Sequence, residues 1–314
     1  MHILFIASFY PNRVRKIVGV FIQNYAFSLS KIFKVTVLNI EKDKNINMPI
    51  EISKERRESI NVFIIYYNPE AIKFSFIKKL LIYFYLLKAI FKTLSLIDKE
   101  FGKVDKVHLN VSHPLGIIAL YLKFFRGIKY YISEQSTLFV LDHFKKHSFF
   151  GRLLIKLTYK YASGLSVITD FLGQCIFQLG LYKKPYHIIP NIVSTEIFNI
   201  ENIQSLNDKP ILIHVSTLRP TKGVDMLIDA CNILTELGVN YKFIIVGGTG
   251  DYLKHIQEKV EKLKLIDYIE IIGELNSREI AVLLKKSDIF LLNSEFETFC
   301  VVMIEALAYG LPVI

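Results

Sequence analysis

The feature that most constrains the fold is a regular alternation of short apolar runs with helical segments. Runs such as His2–Ala7, Lys34–Ile40 and Val104–Leu109 are predicted to be buried strands. Helical periodicity fills most of the intervals between them, as in Phe76–Asp98 and Pro114–Phe125. Strands that alternate with helices predict an α/β fold, in which a parallel sheet is covered on both faces.

The alternation is interrupted once, which predicts two domains. Residues 191–209 are polar and have little periodicity, and the pattern restarts at Ile211–Ser216. We therefore predict an N-terminal domain over 1–190, a linker over 191–209 and a C-terminal domain over 210–314. A chain of 314 residues is also longer than one core usually serves. The last three residues look like the start of another strand without a helix to cover it, so we expect the C-terminal domain to be incomplete.

Composition indicates which kind of partner the protein binds and in which redox compartment it works. Hydrophobic residues make up 52% of the chain and charged residues 22%, which excludes a disordered protein. The net charge of +10 favours anionic partners. The three cysteines show neither zinc-binding nor disulfide spacing, which fits a reducing compartment. The first residues do not resemble a signal peptide, and the longest apolar candidate, Leu80–Phe91, is too short to span a membrane.

The segment after the last apolar run combines two carboxylates with the start of a helix. Glu297 lies in the loop, and Glu305 lies inside a helix predicted over Val301–Tyr309. Free backbone N–H groups and the positive end of the helix dipole favour an anion at this helix start. A ligand that carries phosphate and hydroxyl groups would suit the site, although an ordinary helix with two solvated glutamates fits the same pattern. The residues at the helix start are Phe299, Cys300 and Val301.

A second candidate element is the loop between the first strand and the first helix of the C-terminal domain. It contains Arg219 and Lys222, three positions apart. Two cations at this point would hold a diphosphate and stabilise its charge as it departs. The alternative is a surface loop with two solvated cations, which is common in a basic protein.

Together, these motifs resemble the retaining, nucleotide-sugar-dependent glycosyltransferases of family 4, also described as the group 1 domain. The resemblance rests on Arg219 with Lys222-Gly223 and on the E-x7-E pair Glu297 and Glu305. Residues 189–193, 243–248 and 306–314 also resemble segments of that family. The resemblance implies a GT-B fold, which consists of two Rossmann-like domains that face each other across a cleft containing the active site.

The resemblance also implies roles for the C-terminal residues. Arg219 and Lys222 would bind the donor diphosphate, Glu305 the donor ribose, and Glu297 the transferred sugar. Arg219, Lys222 and Glu297 would be the catalytic residues, and Gly273 would face the base. The amides of Phe299, Cys300 and Val301 would support the donor. No Asp-x-Asp motif follows a strand, so we expect no metal and no cofactor beyond the nucleotide-sugar substrate.

Three N-terminal residues are weaker candidates. In the family, a glycine in the first loop lets the backbone approach the phosphates or the acceptor, but Gly19 also fits a plain turn before a helix. His113 follows a strand and would lie on the acceptor side, unless it is structural. Gln135 stands where related sequences often have a histidine that binds the transferred sugar. Glutamine can hydrogen-bond to a hydroxyl but cannot carry a proton.

Two stretches that mix lysines with aromatic residues, 73–92 and 139–161, have two interpretations. Their helices would lie on an anionic membrane surface, or they would cover the sheet while their lysines extend into solvent. No nucleic-acid-binding motif accompanies the positive charge, so we expect no nucleic-acid partner.

The sequence therefore predicts a glycosyltransferase that moves a sugar from a nucleotide-diphosphate sugar to a glycan or lipid-linked acceptor, with retention of configuration. The family implies a role in bacterial surface polysaccharide or lipopolysaccharide assembly, in the cytoplasm or peripherally on the inner face of the cell membrane. Two alternatives stay open. One is a nucleotide-sugar epimerase of the same fold, and the other is a catalytically weak sugar-nucleotide-binding protein, motivated by Gln135 and by the incomplete C-terminal domain.

Overall fold

The computed structural model describes residues 1–16, 18–72, 77–140, 143–192, 208–248 and 250–314. It divides into two compact units, Met1–Ile192 and Val193–Ile314. Most of the predicted linker, 191–209, lies outside the described residues, as do residues 73–76 of the first basic aromatic stretch.

The N-terminal unit is built on an eight-stranded sheet in the order β3-β4-β2-β1-β5-β6-β7-β8. All neighbouring strands pair in parallel except β3 and β4, which are antiparallel. The strands are β1 (His2–Ala7), β2 (Lys34–Lys42), β3 (Ile50–Arg57), β4 (Ile60–Tyr67), β5 (Lys106–Asn110), β6 (Lys129–Glu134), β7 (Gly164–Val167) and β8 (His187–Ile188). The helices are α1 (Val20–Ser30), α2 (Lys78–Phe101), α3 (Gly116–Arg126), α4 (Phe149–Lys160) and α5 (Asp170–Gln178).

The central strand β1 explains why this unit needs helices on both faces. Every one of its six residues is buried, as expected for a parallel strand covered on both sides. Ile3, Phe5 and Ala7 share one core cluster with Ile22 and Ala26 of α1. The chain runs from β1 to β2 in one direction along the sheet and from β4 through β7 in the other. Right-handed crossovers therefore place α1 on one face and α2, α3 and α4 on the opposite face.

The C-terminal unit has a four-stranded parallel sheet in the order β11-β10-β9-β12. Its strands are β9 (Ile211–Val215), β10 (Lys242–Val246), β11 (Ile269–Ile272) and β12 (Ile289–Phe290), and its helices are α6 (Val224–Glu236), α7 (Asp251–Lys262), α8 (Ser277–Lys286) and α9 (Val301–Ala308). One core cluster packs α6 and α7 against the sheet, and a second packs α8 and α9 against the sheet. The strand predicted at the end of the chain is present as a parallel bridge between Val313 and Phe290.

Two sequence predictions need correction. Strand β3 was not predicted, because its second half, Lys54–Arg57, is charged and shows no apolar alternation. The prediction that no apolar run is long enough to span a membrane was wrong. Helix α2 continues to Phe101. Among the described residues, its stretch Leu80–Phe101 has the length and the apolar composition that a membrane span requires. Lys92 bounds the predicted apolar run, but it interrupts neither the helix nor its apolar character.

Candidate functional site

Two loops meet at the carboxyl edge of the C-terminal sheet. One follows β9 and carries Arg219 and Lys222, and the other follows the neighbouring strand β12 and carries Glu297. Backbone contact joins the loops, because the Glu295 N–H donates a hydrogen bond to the Thr221 carbonyl at 3.0 Å. Since β9 and β12 are parallel neighbours, the loops that follow them are adjacent, as the ends of parallel strands require.

The side chains of Lys222 and Glu297 are in direct contact. Lys222 Nζ lies 2.5 Å from Glu297 Oε1, and the Ser294 hydroxyl donates to the same oxygen at 2.7 Å. Lys222 and Glu297 are 21% and 24% exposed, so the pair is partly shielded from water. The structure therefore brings together two of the predicted site residues that lie 75 positions apart in the chain. Arg219 lies on the same loop, at the start of the 3-10 turn Pro220–Lys222, and is exposed.

Gly223 makes the close approach of the two loops possible. Its φ is +65°, and a Cβ at this position would lie 2.0 Å from the Asn293 carbonyl oxygen. The Asn293 side-chain amide in turn donates to the Gly223 carbonyl at 3.3 Å. Only glycine combines this left-handed backbone with so little space, so the residue after Lys222 is fixed by packing as well as by the turn.

A buried histidine, which sequence reasoning missed, holds the start of the loop that carries Arg219 and Lys222. His214 Nδ1 lies 2.8 Å from the Leu291 carbonyl oxygen, and Nε2 lies 2.8 Å from the Ser216 hydroxyl. Because a carbonyl only accepts, Nδ1 carries the proton and Nε2 accepts from Ser216, whose oxygen accepts from the Leu218 N–H at 3.1 Å. Burial lowers the pKa of His214, which keeps the ring neutral. A histidine within an apolar strand was the available signal, since a buried polar group needs partners.

Helix α9 begins without a side-chain cap. Its N-cap is Cys300, in left-handed conformation with φ +54°, and no side chain accepts a hydrogen bond from the first turn. The predicted site residues Phe299, Cys300 and Val301 are all half-buried here. Burial, reinforced by the charge of Glu297, raises the pKa of the Cys300 thiol to about 11, so the thiol stays protonated at neutral pH. The helix start therefore offers backbone N–H groups rather than a nucleophile.

Glu305 is the most perturbed carboxylate of this unit for which a pKa shift is resolved. It is half-buried in α9, and burial raises its pKa to about 7. A carboxyl group that titrates near neutral pH, on a helix that begins beside Lys222 and Glu297, is a candidate ligand-binding residue. Gly273, which follows β11, is exposed, and a Cβ there would meet no atom within 4 Å. Nothing in its packing requires glycine, so its contact with a base stays a prediction.

Gly19 has a clear packing role in the N-terminal unit. Its φ is +84°, and a Cβ would lie 2.6 Å from the Phe9 carbonyl carbon. Gly19 is also the N-cap of α1. The structure thus explains this glycine by the contact within its own loop. The predicted approach of its backbone to a ligand stays a prediction.

His113 and Gln135 follow the neighbouring strands β5 and β6. The His113 ring lies 4.8 Å from the His147 ring, and burial together with His147 lowers the pKa of His113. Gln135 is 8% exposed. Within the described ranges, neither His113 Nδ1 nor Gln135 Oε1 finds a hydrogen-bond partner. Buried polar atoms without partners are uncommon and indicate strain or a place for a polar ligand.

Glu134, which sequence reasoning also missed, holds the loops that carry these two residues. This carboxylate is fully buried, and one of its oxygens accepts from the Ser112 N–H at 3.0 Å and the Tyr159 hydroxyl at 2.8 Å. The other accepts from the N–H groups of Gln135 and Ser136 at 3.1 and 3.0 Å. The signal in the sequence was an acidic residue at the end of an apolar strand.

The comparison with protein-family models concerns the C-terminal unit. Residues 196–314 match the family model described as "Glycosyl transferases group 1". We name this segment the group 1 domain after the model that it matches.

Two sequence relatives are named as glycosyltransferases. The chain is 30% identical over 136 residues to one subunit of the phosphatidylinositol N-acetylglucosaminyltransferase of Arabidopsis thaliana, covering 43% of this chain and 30% of that protein. It is 33% identical over 109 residues to the Putative colanic acid biosynthesis glycosyltransferase WcaL of Escherichia coli K12, covering 33% of this chain and 27% of the relative. The chain thus spans less than a third of the length of these two relatives.

Solved structures show the fold of the whole chain. The structure of Anabaena Alr3699/HepE in complex with UDP and glucose matches with a TM-score of 0.68 and 18% identity, over 100% of this chain and 80% of that one. This likeness shows the GT-B fold, in agreement with the two α/β units and their parallel sheets.

The group 1 domain contains most of the predicted site. Its two loops carry the contact between Lys222 and Glu297, and α9 carries Glu305, eight positions after Glu297. The predicted residues outside the domain are Gly19, His113 and Gln135, all in the N-terminal unit.

Proposed function

We propose that this protein is a retaining glycosyltransferase that moves a sugar from a nucleotide-diphosphate sugar to a glycan or lipid-linked acceptor. The observation that carries the proposal is the 2.5 Å contact between Lys222 and Glu297 beside the uncapped start of α9. This arrangement offers a cation and backbone N–H groups to phosphate, and a carboxylate to sugar hydroxyls. The UDP and glucose bound by the structural neighbour support a donor of this class.

In this proposal, the group 1 domain binds the donor. Lys222 and Arg219 hold the diphosphate and stabilise the negative charge that it gains as it leaves. Glu305 accepts hydrogen bonds from ribose hydroxyls, and Glu297 accepts them from the transferred sugar. The positive charge that the leaving group needs is supplied by two side chains, so the proposed reaction requires no metal ion.

The acceptor hydroxyl attacks the anomeric carbon from the side on which the diphosphate leaves, which retains the configuration. The oxygen–carbon bond to the acceptor forms as the bond between carbon and diphosphate oxygen breaks. The bonding electron pair stays on the diphosphate, and the acceptor proton passes to the departing oxygen. This route needs no protein base, which suits Gln135 because an amide cannot take up the proton.

The N-terminal unit would then supply the acceptor side, with His113 and Gln135 offering buried polar atoms to hydroxyl groups. The relative named for colanic acid biosynthesis supports a role in surface polysaccharide assembly. We propose a cytoplasmic protein that works at the inner face of the membrane, where lipid-linked acceptors are available.

A thermal-shift screen of nucleotide diphosphates and nucleotide sugars on the full chain identifies the donor, because a ligand that binds only the folded state raises the unfolding midpoint. Binding and turnover are then compared for the wild type, Lys222→Ala and Glu297→Ala. Each variant removes a charge-assisted contact, so we expect donor affinity to fall about 10- to 100-fold. Lys262→Ala, on the exposed side of α7, is the matched control and should leave the affinity unchanged.

Product analysis separates the alternatives. A new glycoside with the donor's anomeric configuration supports the proposal, whereas a free epimerised sugar identifies an epimerase. Donor binding without turnover in the presence of glycan and lipid-linked acceptors identifies a binding protein. Unchanged affinity and turnover in both site variants would refute the site itself.

A further inference from the structure

Helices α2, α3 and α4 form one continuous layer on the N-terminal unit. Phe91 of α2 packs against Tyr121 of α3 with ring centroids 4.9 Å apart. Phe124 of α3 packs against Tyr161, just after α4, with centroids 4.7 Å apart. The three helices therefore lie side by side, as expected from consecutive right-handed crossovers on one face of the sheet.

The first half of α2 is apolar on both sides. Its inner side is buried, with Ile82 at 6% exposure and Ala89 at 5%. Its outer side carries a stripe with helical spacing, formed by the exposed residues Leu80, Tyr83, Phe84 and Leu87. Because the inner side is part of the unit's own core, α2 cannot leave it to cross a membrane without exposing that core. The outer stripe is free to meet a partner while α2 stays in place.

Large exposed apolar residues continue onto the other two helices. Phe149 and Phe150, at the start of α4, are 68% and 79% exposed, and Phe125 of α3 is 78% exposed. Single exposed apolar residues are ordinary, but a group spread over three neighbouring helices marks an interaction surface. We define the apolar face as the following exposed residues: Leu80, Tyr83, Phe84, Leu87, Ile117, Phe124, Phe125, Phe149 and Phe150.

The same helices hold most of the chain's excess positive charge. In sequence, α2, α3 and α4 contain ten basic residues and two acidic ones, whereas the net charge of the whole chain is +10. Lys88 Nζ lies 4.4 Å from the centroid of the Phe84 ring, so positive charge and apolar surface are interleaved. Two copies of this face would repel each other, which favours an anionic partner over self-association.

We infer that the apolar face docks the N-terminal unit on an anionic phospholipid membrane. The aromatic and aliphatic side chains would enter the boundary between headgroups and acyl chains, while lysines beside them reach the lipid phosphates. Helix α2 would lie in the plane of the interface, because its inner side stays in the core. The inference rests on the N-terminal unit and is independent of the proposed transfer reaction.

The test is flotation of the full chain with vesicles of phosphatidylcholine alone or mixed with phosphatidylglycerol. We expect binding to the mixed vesicles that weakens with added salt, and little binding to phosphatidylcholine. Phe149→Ser/Phe150→Ser should lower the partition coefficient at least about tenfold, since each ring loses its burial in lipid. Met226→Ser/Leu237→Ser is the control, because these residues are 66% and 73% exposed on the C-terminal unit.

A second pair of variants tests the electrostatic part. Lys88→Gln/Lys92→Gln should weaken binding to the mixed vesicles, by about fivefold for each cation that faces the lipid. Lys183→Gln/Lys184→Gln changes the net charge equally at exposed positions outside the three helices and should have a much smaller effect. Unfolding midpoints equal to the wild type confirm that all variants are folded.

Three results would overturn the inference. The first is equal binding to neutral and anionic vesicles, and the second is unchanged binding by the Phe149→Ser/Phe150→Ser variant. The third is a concentration-dependent dimer that the same variant abolishes, without vesicle binding by the wild type. That third result would assign the face to a second copy of the chain.

Discussion

The titration of Glu305 gives a prediction in which ligand affinity and stability change in opposite directions with pH. Burial raises the pKa of this carboxyl to about 7. If the ionised form accepts hydrogen bonds from the donor ribose, protonation removes part of the binding energy. With a pKa of 7, about ten-elevenths of the groups are ionised at pH 8 and about one-eleventh at pH 6. The Kd of a nucleotide-sugar donor should therefore rise about tenfold between pH 8 and pH 6.

Isothermal titration calorimetry at several pH values measures this change, with the intact nucleotide sugar as the probe. Its two phosphates are both phosphodiester-like and stay ionised over this range, unlike the terminal phosphate of a free nucleotide diphosphate. Glu305→Gln is the control, because the amide has nearly the same shape and does not titrate. A wild-type Kd that is flat over this range, or a Glu305→Gln variant with the same slope, would refute the role of Glu305.

The free energy of unfolding supplies an independent measurement on the same residue. The folded-state pKa of about 7 lies above the unfolded value near 4.3, so the folded state binds the proton more tightly. The stabilisation is complete below about pH 4 and is lost as the pH rises through 7. Glu305→Gln should thus be more stable than the wild type at pH 8, by up to about 4 kcal/mol. This advantage should shrink as the pH falls, which urea denaturation at pH 8 and pH 5 would show.

Four further substitutions, one of them a control, test the packing that holds the loops. Gly223→Ala should destabilise the protein by about 3 kcal/mol or more, because its Cβ would lie 2.0 Å from the Asn293 carbonyl oxygen. Gly238→Ala, with a similar positive φ but no atom within 4 Å, should cost only about 1 kcal/mol in denaturation, and equal losses would contradict the importance of the contact. Glu134→Gln should lower the free energy of unfolding by about 2–4 kcal/mol, since an amide nitrogen would then face an N–H donor. Tyr159→Phe removes one donor to Glu134 and should cost only about 1 kcal/mol by the same assay.

Much of the fold was accessible from the sequence because its strands are short, apolar and separated by clear helices. The predicted bounds of β1 agree with the structure residue for residue. β3 escaped because an edge strand buries little, so its sequence need not alternate between apolar and polar residues. The apolar run within α2 was underestimated because it was ended before Lys92, which lies on the exposed side, where a helix tolerates a cation.

The candidate site was only partly predictable. Arg219, Lys222, Glu297 and Glu305 were chosen by motif, and the structure adds that Lys222 and Glu297 are in contact. His214 and Glu134 were not chosen, because each makes a hydrogen bond with a backbone group that is distant in sequence. Their partners are known only once β12 lies beside β9 and β5 lies beside β6.

The two outer strands of the N-terminal sheet have a consequence for how this apolar chain behaves during folding. An exposed strand edge presents unpaired backbone groups that another chain can extend into an aggregate. At one edge, β3 carries five charged residues among its eight, and charged side chains on an edge strand disfavour pairing with a second chain. At the other edge, β8 has only two residues, which offers too few hydrogen bonds to hold a foreign strand. Charge at one edge and a very short strand at the other thus protect the sheet from pairing with further chains.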